Sequence, residues 1–169
     1  ITLLEKELVN KCLNDGWISS RGEFVSRFED DFSHYLGCSH AIACCNGTVA
    51  LHLALLALGI GPGDDVLVPS FTYIASVNAI KYVGANPVFI DINETDWQIS
   101  VQDLLKKITP QTKAVIAVHL YGGACNLEDL GNICNEHSLF LIEDCAESIG
   151  ALYRGRHTGT YGDISTFSF

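Results

Sequence analysis

Short runs of β-branched and apolar residues alternate along the chain with longer segments whose apolar residues recur at helical spacing. The short runs predict strands and the longer segments predict helices, because side chains repeat on one face every second residue in a strand and about every 3.6 residues in a helix. After an apolar run at 41–45, the predicted strands are 66–69, 87–92, 114–120 and 139–144. The predicted helices are 48–58, 73–83, 101–108 and 127–137.

This alternation predicts an α/β fold with three layers (αβα), in which a mainly parallel sheet lies between two layers of helices. The segment 48–58 is apolar nearly all round, which predicts a buried helix. Ligands of parallel sheets bind beyond the carboxyl ends of the strands. Four groups of residues follow predicted strands and are therefore expected to meet in one crevice: 46–48, 70–73, 119–122 and 144–147.

The sequence Asn46-Gly47-Thr48 lies between the apolar run and the helix at 48–58. Gly47 permits close approach of the backbone, the free amides and dipole of a helix N-terminus favour an anion, and Thr48 adds a hydroxyl donor. These features outline a phosphate site, although a tight turn with Thr48 as N-cap is the commoner structure for such a motif. The glycines between 59 and 63 follow a helix instead of a strand, which indicates a turn and not a dinucleotide site.

Aromatic and acidic residues follow two other predicted strands. Phe71 and Tyr73 follow one strand, where an aromatic ring either stacks on a flat cofactor or joins the core. Glu143 and Asp144 end an apolar strand, where a carboxylate is costly unless it is paired or hydrogen-bonded. A protonated pyridine nitrogen, bulk solvent and a magnesium ion are three comparable partners for it. His119 closes a buried strand and is interpreted as a hydrogen-bonded core histidine.

Composition narrows the classes of function. Hydrophobic residues make up 48% and charged residues 18% of the 169 residues, which predicts a packed fold. The formal net charge of -10 disfavours nucleic acid as a partner, but not a small phosphate ligand held by local amides. No apolar stretch is long enough to span a membrane, and no signal peptide is apparent.

The seven cysteines are odd in number, form no C-x-x-C pair and have mostly apolar neighbours. This usage predicts buried, reduced thiols in a cytoplasmic protein. Only Cys44 and Cys45 are close in sequence, and neighbours on a strand point to opposite faces, so no metal site is expected.

Taken together, the motifs resemble those of the DegT/DnrJ/EryC1/StrS family of sugar aminotransferases. The similarity extends over essentially the whole chain, and the order and spacing of the motifs make it specific. The matching segments are 16–20, 46–51, 63–66, 69–73, 84–88, 118–122, 142–147, 150–151 and 162–169. Ala124 and Asn126 depart from the proline and aspartate common in relatives, and Cys145 stands where alanine is common.

The resemblance implies a fold type I enzyme that uses pyridoxal 5'-phosphate (PLP/PMP) and is a homodimer at full length. Residues 1–169 would form the N-terminal part of the PLP-binding large domain. The lysine that binds the cofactor in this family, and the small C-terminal domain, would lie beyond Phe169.

The resemblance also implies roles for individual residues. Gly47, Thr48 and Ser168 would bind the phosphate of PLP, and Tyr73 would stack on its ring. The pair of residues with catalytic roles would be Asp144, which bonds to the ring nitrogen, and Glu147, which lies beside the ring oxygen. Trp17 and Ser19 would contact the sugar substrate.

The implied reaction moves an amino group from L-glutamate to a nucleotide-linked 4-keto-6-deoxy sugar, for surface glycans such as O-antigen. Segments 17–20, 144–147 and 158–163 resemble perosamine-forming members of the family, which implies a GDP-linked sugar. A PLP/PMP-dependent sugar dehydratase of the same family is the first alternative, but Glu147 favours the aminotransferase because such dehydratases tend to carry histidine there. A non-catalytic regulatory homologue is the second alternative, although it would be free to lose Asp144.

Overall fold

A computed structural model describes all of residues 1–169. The chain divides into two compact units, Ile1–Ala43 and Cys44–Phe169. The first unit contains two helices, α1 (Leu3–Asn14) and α2 (Glu23–Leu36), which are not among the helices predicted above. Helix α1 buries no residue and begins at a capping box between Thr2 and Glu5. Helix α2, in contrast, has apolar residues at helical spacing (Phe24, Phe28, Phe32 and Leu36), a period that the predictions above do not include.

The second unit is built on a parallel sheet, as the sequence predicts, and this sheet has five strands. The strands of this sheet are β1 (Asp65–Pro69), β2 (Asn86–Ile90), β3 (Thr112–Val118), β4 (Phe140–Asp144) and β7 (Ile164–Thr166). Their order is β2-β1-β3-β4-β7, and all four neighbouring pairs are parallel. Strands β5 (Leu152–Tyr153) and β6 (Arg156–His157) form a separate antiparallel hairpin, which the pattern does not predict.

Helices cover both faces of the sheet, so the predicted three layers are confirmed. The helices of this unit are α3 (Gly47–Ala57), α4 (Ile74–Tyr82), α5 (Val101–Lys107) and α6 (Leu127–His137), with a short 3₁₀ helix at Leu120–Gly122. Alternate residues of the central strands β1, β3 and β4 enter two separate cores. Ile116 and Ile142 join the core formed with α3 and α4, whereas Val115 and Leu141 join the core formed with α5 and α6.

Three predictions from the local pattern are wrong. Residues 41–45 form no strand; in the middle of the segment the backbone N–H of Ala43 donates to a side chain, Glu29 Oε1, over 2.8 Å. Helix α3 is not buried all round: Val49, Leu53 and Leu56 are 40–53% exposed, since helix composition does not show how many sides have a neighbour. Cys44 and Cys45 are exposed, whereas Cys125, Cys134 and Cys145 are buried as expected.

The topology places a crevice at one edge of the sheet. Strand β1 pairs with β2 on one side and with β3 on the other, so the chain changes direction across the sheet at β1. Open parallel sheets bind ligands at the carboxyl ends of such a pair. None of the helices has both the length and the apolar composition needed to cross a bilayer.

Candidate active site

Contacts between the loops show that three of the four predicted groups, those after β1, β3 and β4, meet at one edge of the sheet. Ser76 Oγ, on the first turn of α4, donates to Asp144 Oδ2 at the end of β4 over 2.8 Å. After β3, the backbone N–H of Tyr121 donates to Glu147 Oε2 over 2.9 Å. The loops after β1, β3 and β4 therefore surround one crevice.

A glycine at the start of α3 allows two segments to approach closely. A Cβ atom on Gly47 would lie 3.2 Å from Ser168 Cβ and 3.5 Å from Ser168 Oγ. Asn46, not Thr48, caps the helix, because Asn46 Oδ1 accepts a hydrogen bond from Val49 N over 2.9 Å. The first two amides of α3, those of Gly47 and Thr48, have no acceptor within the helix and lie at the positive end of its dipole. The three residues predicted to bind phosphate are thus together.

Asp144 is a buried carboxylate without a cationic partner. Its side chain is only 5% exposed, so the alternative of a solvated strand end is wrong. Burial raises the pKa of Asp144, and hydrogen bonds from Ser76 and the backbone N–H of Ala146 offset this rise only in part. A protonated ring nitrogen would supply the positive charge that the protein does not provide.

Glu143, the adjacent residue, has the opposite environment. It is completely buried, and its two oxygens accept four hydrogen bonds: from His119 Nε2 (3.0 Å) and from the backbone N–H groups of Gly159 (2.7 Å), Tyr161 (2.8 Å) and Gly162 (2.7 Å). Burial alone would raise the pKa of Glu143. The bonds from His119 and the backbone of Gly162 and Gly159 outweigh burial, so its pKa is lowered.

His119 is a hydrogen-bonded core histidine, as predicted. Its Nδ1 accepts from the backbone N–H of Cys125 over 3.1 Å, so the proton of the neutral ring is on Nε2, which donates to Glu143. His119, Glu143 and Cys145 place three possible metal ligands within 4.8 Å of one another. A metal does not fit, because hydrogen bonds already use both ring nitrogens and both carboxylate oxygens, and burial raises the pKa of the Cys145 thiol.

Aromatic side chains line the same edge and are not part of the core. Tyr73 is 74% exposed and precedes α4, which begins one residue later than predicted. Phe71 is 42% exposed and lies against Trp97 and Tyr121, with ring centroids 5.8 and 6.5 Å away. The alternative that Phe71 and Tyr73 are core residues is therefore wrong.

The two predicted substrate residues belong to the N-terminal unit. Trp17 is 54% exposed, and its side chain packs against Gly22, where an added Cβ would lie 3.6 Å from Trp17 Cβ. Ser19 is exposed, and its hydroxyl donates to the carbonyl of Arg21 over 3.2 Å. Both side chains are at the surface of this unit and available to a ligand.

Two groups in the site are not predicted from the sequence. Ser76 is 1% exposed on the apolar face of α4, and a single serine there, three residues after Tyr73, is a weak signal for a bond to a distant strand. The backbone N–H groups that bond to Glu143 lie 16 to 19 residues further along, in a turn without hydrophobic periodicity. The glycines of that turn are the available signal: a Cβ on Gly162 would lie 2.5 Å from the carbonyl oxygen of Leu141.

Comparison with solved structures identifies the class of fold. The chain superposes on the aminotransferase from Psychrobacter cryohalolentis with a TM-score of 0.97 and 37% identity, covering 100% of this chain and 43% of that protein. It superposes on the PLP form of the sugar aminotransferase Spr1654 from Streptococcus pneumoniae with a TM-score of 0.96 and 32% identity, covering 100% and 47% of the two chains. The fold is that of the fold type I PLP-dependent aminotransferases.

Sequence comparison then gives the family. Residues 1–169 match the DegT/DnrJ/EryC1/StrS aminotransferase family, and the chain belongs to it. The chain is 54% identical over 169 residues to a GDP-perosamine synthase of Escherichia coli O157:H7, covering 100% of this chain and 46% of that protein. The chain thus spans about half the length of the curated relatives that it matches.

Proposed function

We propose that the complete protein is a PLP-dependent aminotransferase that moves an amino group from L-glutamate to a nucleotide-linked 4-keto-6-deoxy sugar. The observation that carries this proposal is Asp144, a buried carboxylate with a raised pKa and no cation beside it. Bound PLP supplies an electron sink, which depends on a protonated ring nitrogen. Asp144 is the residue of this chain that would keep that nitrogen protonated.

The surrounding residues fit the other parts of the cofactor. Gly47 and Thr48 would direct the amides of α3 at the phosphate, and Ser168 would add its hydroxyl, since Gly47 and Ser168 are in close contact. Tyr73 is exposed and free to stack on the ring. Glu147 Oε2 is held by the backbone of Tyr121, which leaves the other carboxylate oxygen to act beside the ring oxygen.

The substrate assignment rests on relatives. GDP-perosamine synthases of Escherichia coli O157:H7 and Vibrio cholerae are each 54% identical to this chain over 98% or more of its length. This similarity favours a GDP-linked sugar, with Trp17 and Ser19 as the residues that contact it. We further propose a cytoplasmic homodimer that supplies an amino sugar for surface glycans.

Absorbance spectroscopy of the complete protein tests the proposal. PLP should produce a visible band, and L-glutamate should then convert this band to that of PMP. Addition of GDP-4-keto-6-deoxymannose should restore the original band and release an amino sugar, which mass spectrometry would detect. A sugar product that has lost oxygen but gained no nitrogen would identify the dehydratase instead. Absence of PLP binding would contradict the enzyme assignment.

Substitution of Gly47 is expected to weaken cofactor binding without unfolding the protein. Gly47→Ala places a Cβ 3.2 Å from Ser168 Cβ, which separates the two sides of the proposed phosphate site, while alanine is a good helix former. The dissociation constant for PLP should rise about tenfold, equivalent to about 1.4 kcal/mol. Fluorescence titration with PLP would measure the change. Gly61→Ala is the control, because its Cβ would make an ordinary contact at 3.8 Å with Val83. Equal affinities for the two variants would contradict the phosphate site.

A further inference from the structure

Glu143 and Asp144 are consecutive residues at the end of β4 and point to opposite faces of the sheet. Asp144 lies on the face of α4, where it accepts from Ser76. Glu143 lies on the opposite face, where its four donors come from His119, the residue after β3, and from the turn before β7. One completely buried carboxylate thus connects three segments of the chain behind the proposed cofactor site.

His119 holds the end of β4 at two points. Its backbone N–H donates to the carbonyl of Asp144 over 3.0 Å, and its ring donates to Glu143 over 3.0 Å. The ring is itself fixed by the N–H of Cys125. Every polar atom of the two side chains therefore has a partner, and the single proton of the neutral ring is held in the hydrogen bond from Nε2 to Glu143.

We propose that Glu143 and His119 are positioning residues that fix the end of β4, so that the carboxylate of Asp144 meets the ring nitrogen of the cofactor. This inference rests on the proposed function. Neither residue faces the cofactor side of the sheet, so neither is a catalytic residue. Their effect on the site is to prevent the strand end, and with it Asp144, from moving away from the ring.

The test compares two ligands of the complete protein: PLP and its deaza analogue, in which a C–H group replaces the ring nitrogen. Only PLP can bond to Asp144, whereas both ligands use the phosphate site. The wild-type protein should prefer PLP by about tenfold or more, as expected for a charge-assisted hydrogen bond. Asp144→Asn should remove this preference and serves as the reference for its loss.

Glu143→Gln should reduce the preference for PLP to about twofold, because a displaced Asp144 loses most of its charge-assisted hydrogen bond to the ring nitrogen. The amide retains one acceptor oxygen, so its NH₂ group must face two N–H donors, which displaces the strand end. Leu104→Ala is the control: Leu104 is completely buried in the core of α5 and α6, and its truncation lowers stability without contact to the pair. The melting temperature should fall in both variants, but the ligand preference should change only in Glu143→Gln.

A full preference for PLP in Glu143→Gln would overturn the positioning role and leave a purely structural one.

If Glu143→Gln does not fold, two His119 variants give the answer. His119→Gln retains an N–H near the position of Nε2, whereas His119→Asn retains an acceptor near that of Nδ1, and each loses one hydrogen bond. We expect the preference to persist in His119→Gln and to fall in His119→Asn; equal behaviour would overturn the proposal. Binding of neither ligand by the wild-type protein would instead contradict the proposed function itself.

Discussion

Replacement of Asp144 by asparagine in the complete protein should lower the rate of transamination by roughly 10²–10³-fold, the effect of removing one preorganised electrostatic group from an active site. Asparagine has nearly the shape of aspartate but carries no charge, so it cannot keep the ring nitrogen of PLP protonated. It retains the local hydrogen bonds, because its oxygen accepts from Ala146 N and its amide can donate to Ser76 Oγ. Stopped-flow absorbance of the half-reaction with L-glutamate would measure the rate.

The same substitution should stabilise the protein without cofactor. Burial raises the folded-state pKa of Asp144 above its value in the unfolded chain, so the folded state binds its proton more tightly. This carboxyl group therefore destabilises the fold once the pH exceeds its unfolded pKa of about 3.9, and asparagine removes the penalty. The melting temperature of Asp144→Asn should exceed that of the wild type at pH 7, and the difference should shrink as the pH falls towards 4.

An exposed aspartate provides the control for this pair of effects. Asp30→Asn changes the net charge by the same amount, but Asp30 lies on the exposed surface of α2. Its rate and melting temperature should remain close to those of the wild type. A large loss of activity in Asp30→Asn, or an unchanged rate in Asp144→Asn, would contradict the assignment of Asp144.

Adjacent residues with the same functional group show what the sequence can and cannot predict. The apolar run before Glu143 and Asp144 predicts a buried strand, and its acidic end predicts partners for the carboxylates. The alternation of strand side chains places the two on opposite faces. The pattern does not show which carboxylate has enough donors. His119 and the turn at 159–162 are distant from Glu143 in sequence, so only the fold shows that Glu143 is the carboxylate with four hydrogen-bond donors.

Length and regularity explain which elements are predictable. Strands β1 to β4 and helices α3 to α6 are predicted within a few residues, because each has a buried face that leaves a period in the sequence. Strand β7 has three residues, too few to show alternation, yet it precedes Ser168. Likewise, Gly47 and Ser168 are in contact although they are 121 positions apart, and the sequence around neither residue predicts this contact.

The turn that holds Glu143 should tolerate no side chain at Gly162. A Cβ there would lie 2.5 Å from the carbonyl oxygen of Leu141, a backbone atom of β4 that cannot move without breaking the sheet. Gly162→Ala must therefore shift the turn and weaken the hydrogen bond from Gly162 N to Glu143, which is 2.7 Å long. We expect a loss of about 3 kcal/mol in the free energy of unfolding, at the upper end for overpacking.

Gly131→Ala is the matched control for this substitution. Gly131 lies inside α6, and a Cβ there would have no atom within 4 Å. Alanine should stabilise that helix by about 0.5–1 kcal/mol, because glycine has the larger conformational freedom in the unfolded chain. Urea denaturation of both variants would measure the two changes. The change in the free energy of unfolding should have opposite signs in the two variants, since a carbonyl blocks the Cβ at Gly162 and nothing blocks it at Gly131. If Gly162→Ala were as stable as the wild type, the turn would be free to move away from β4.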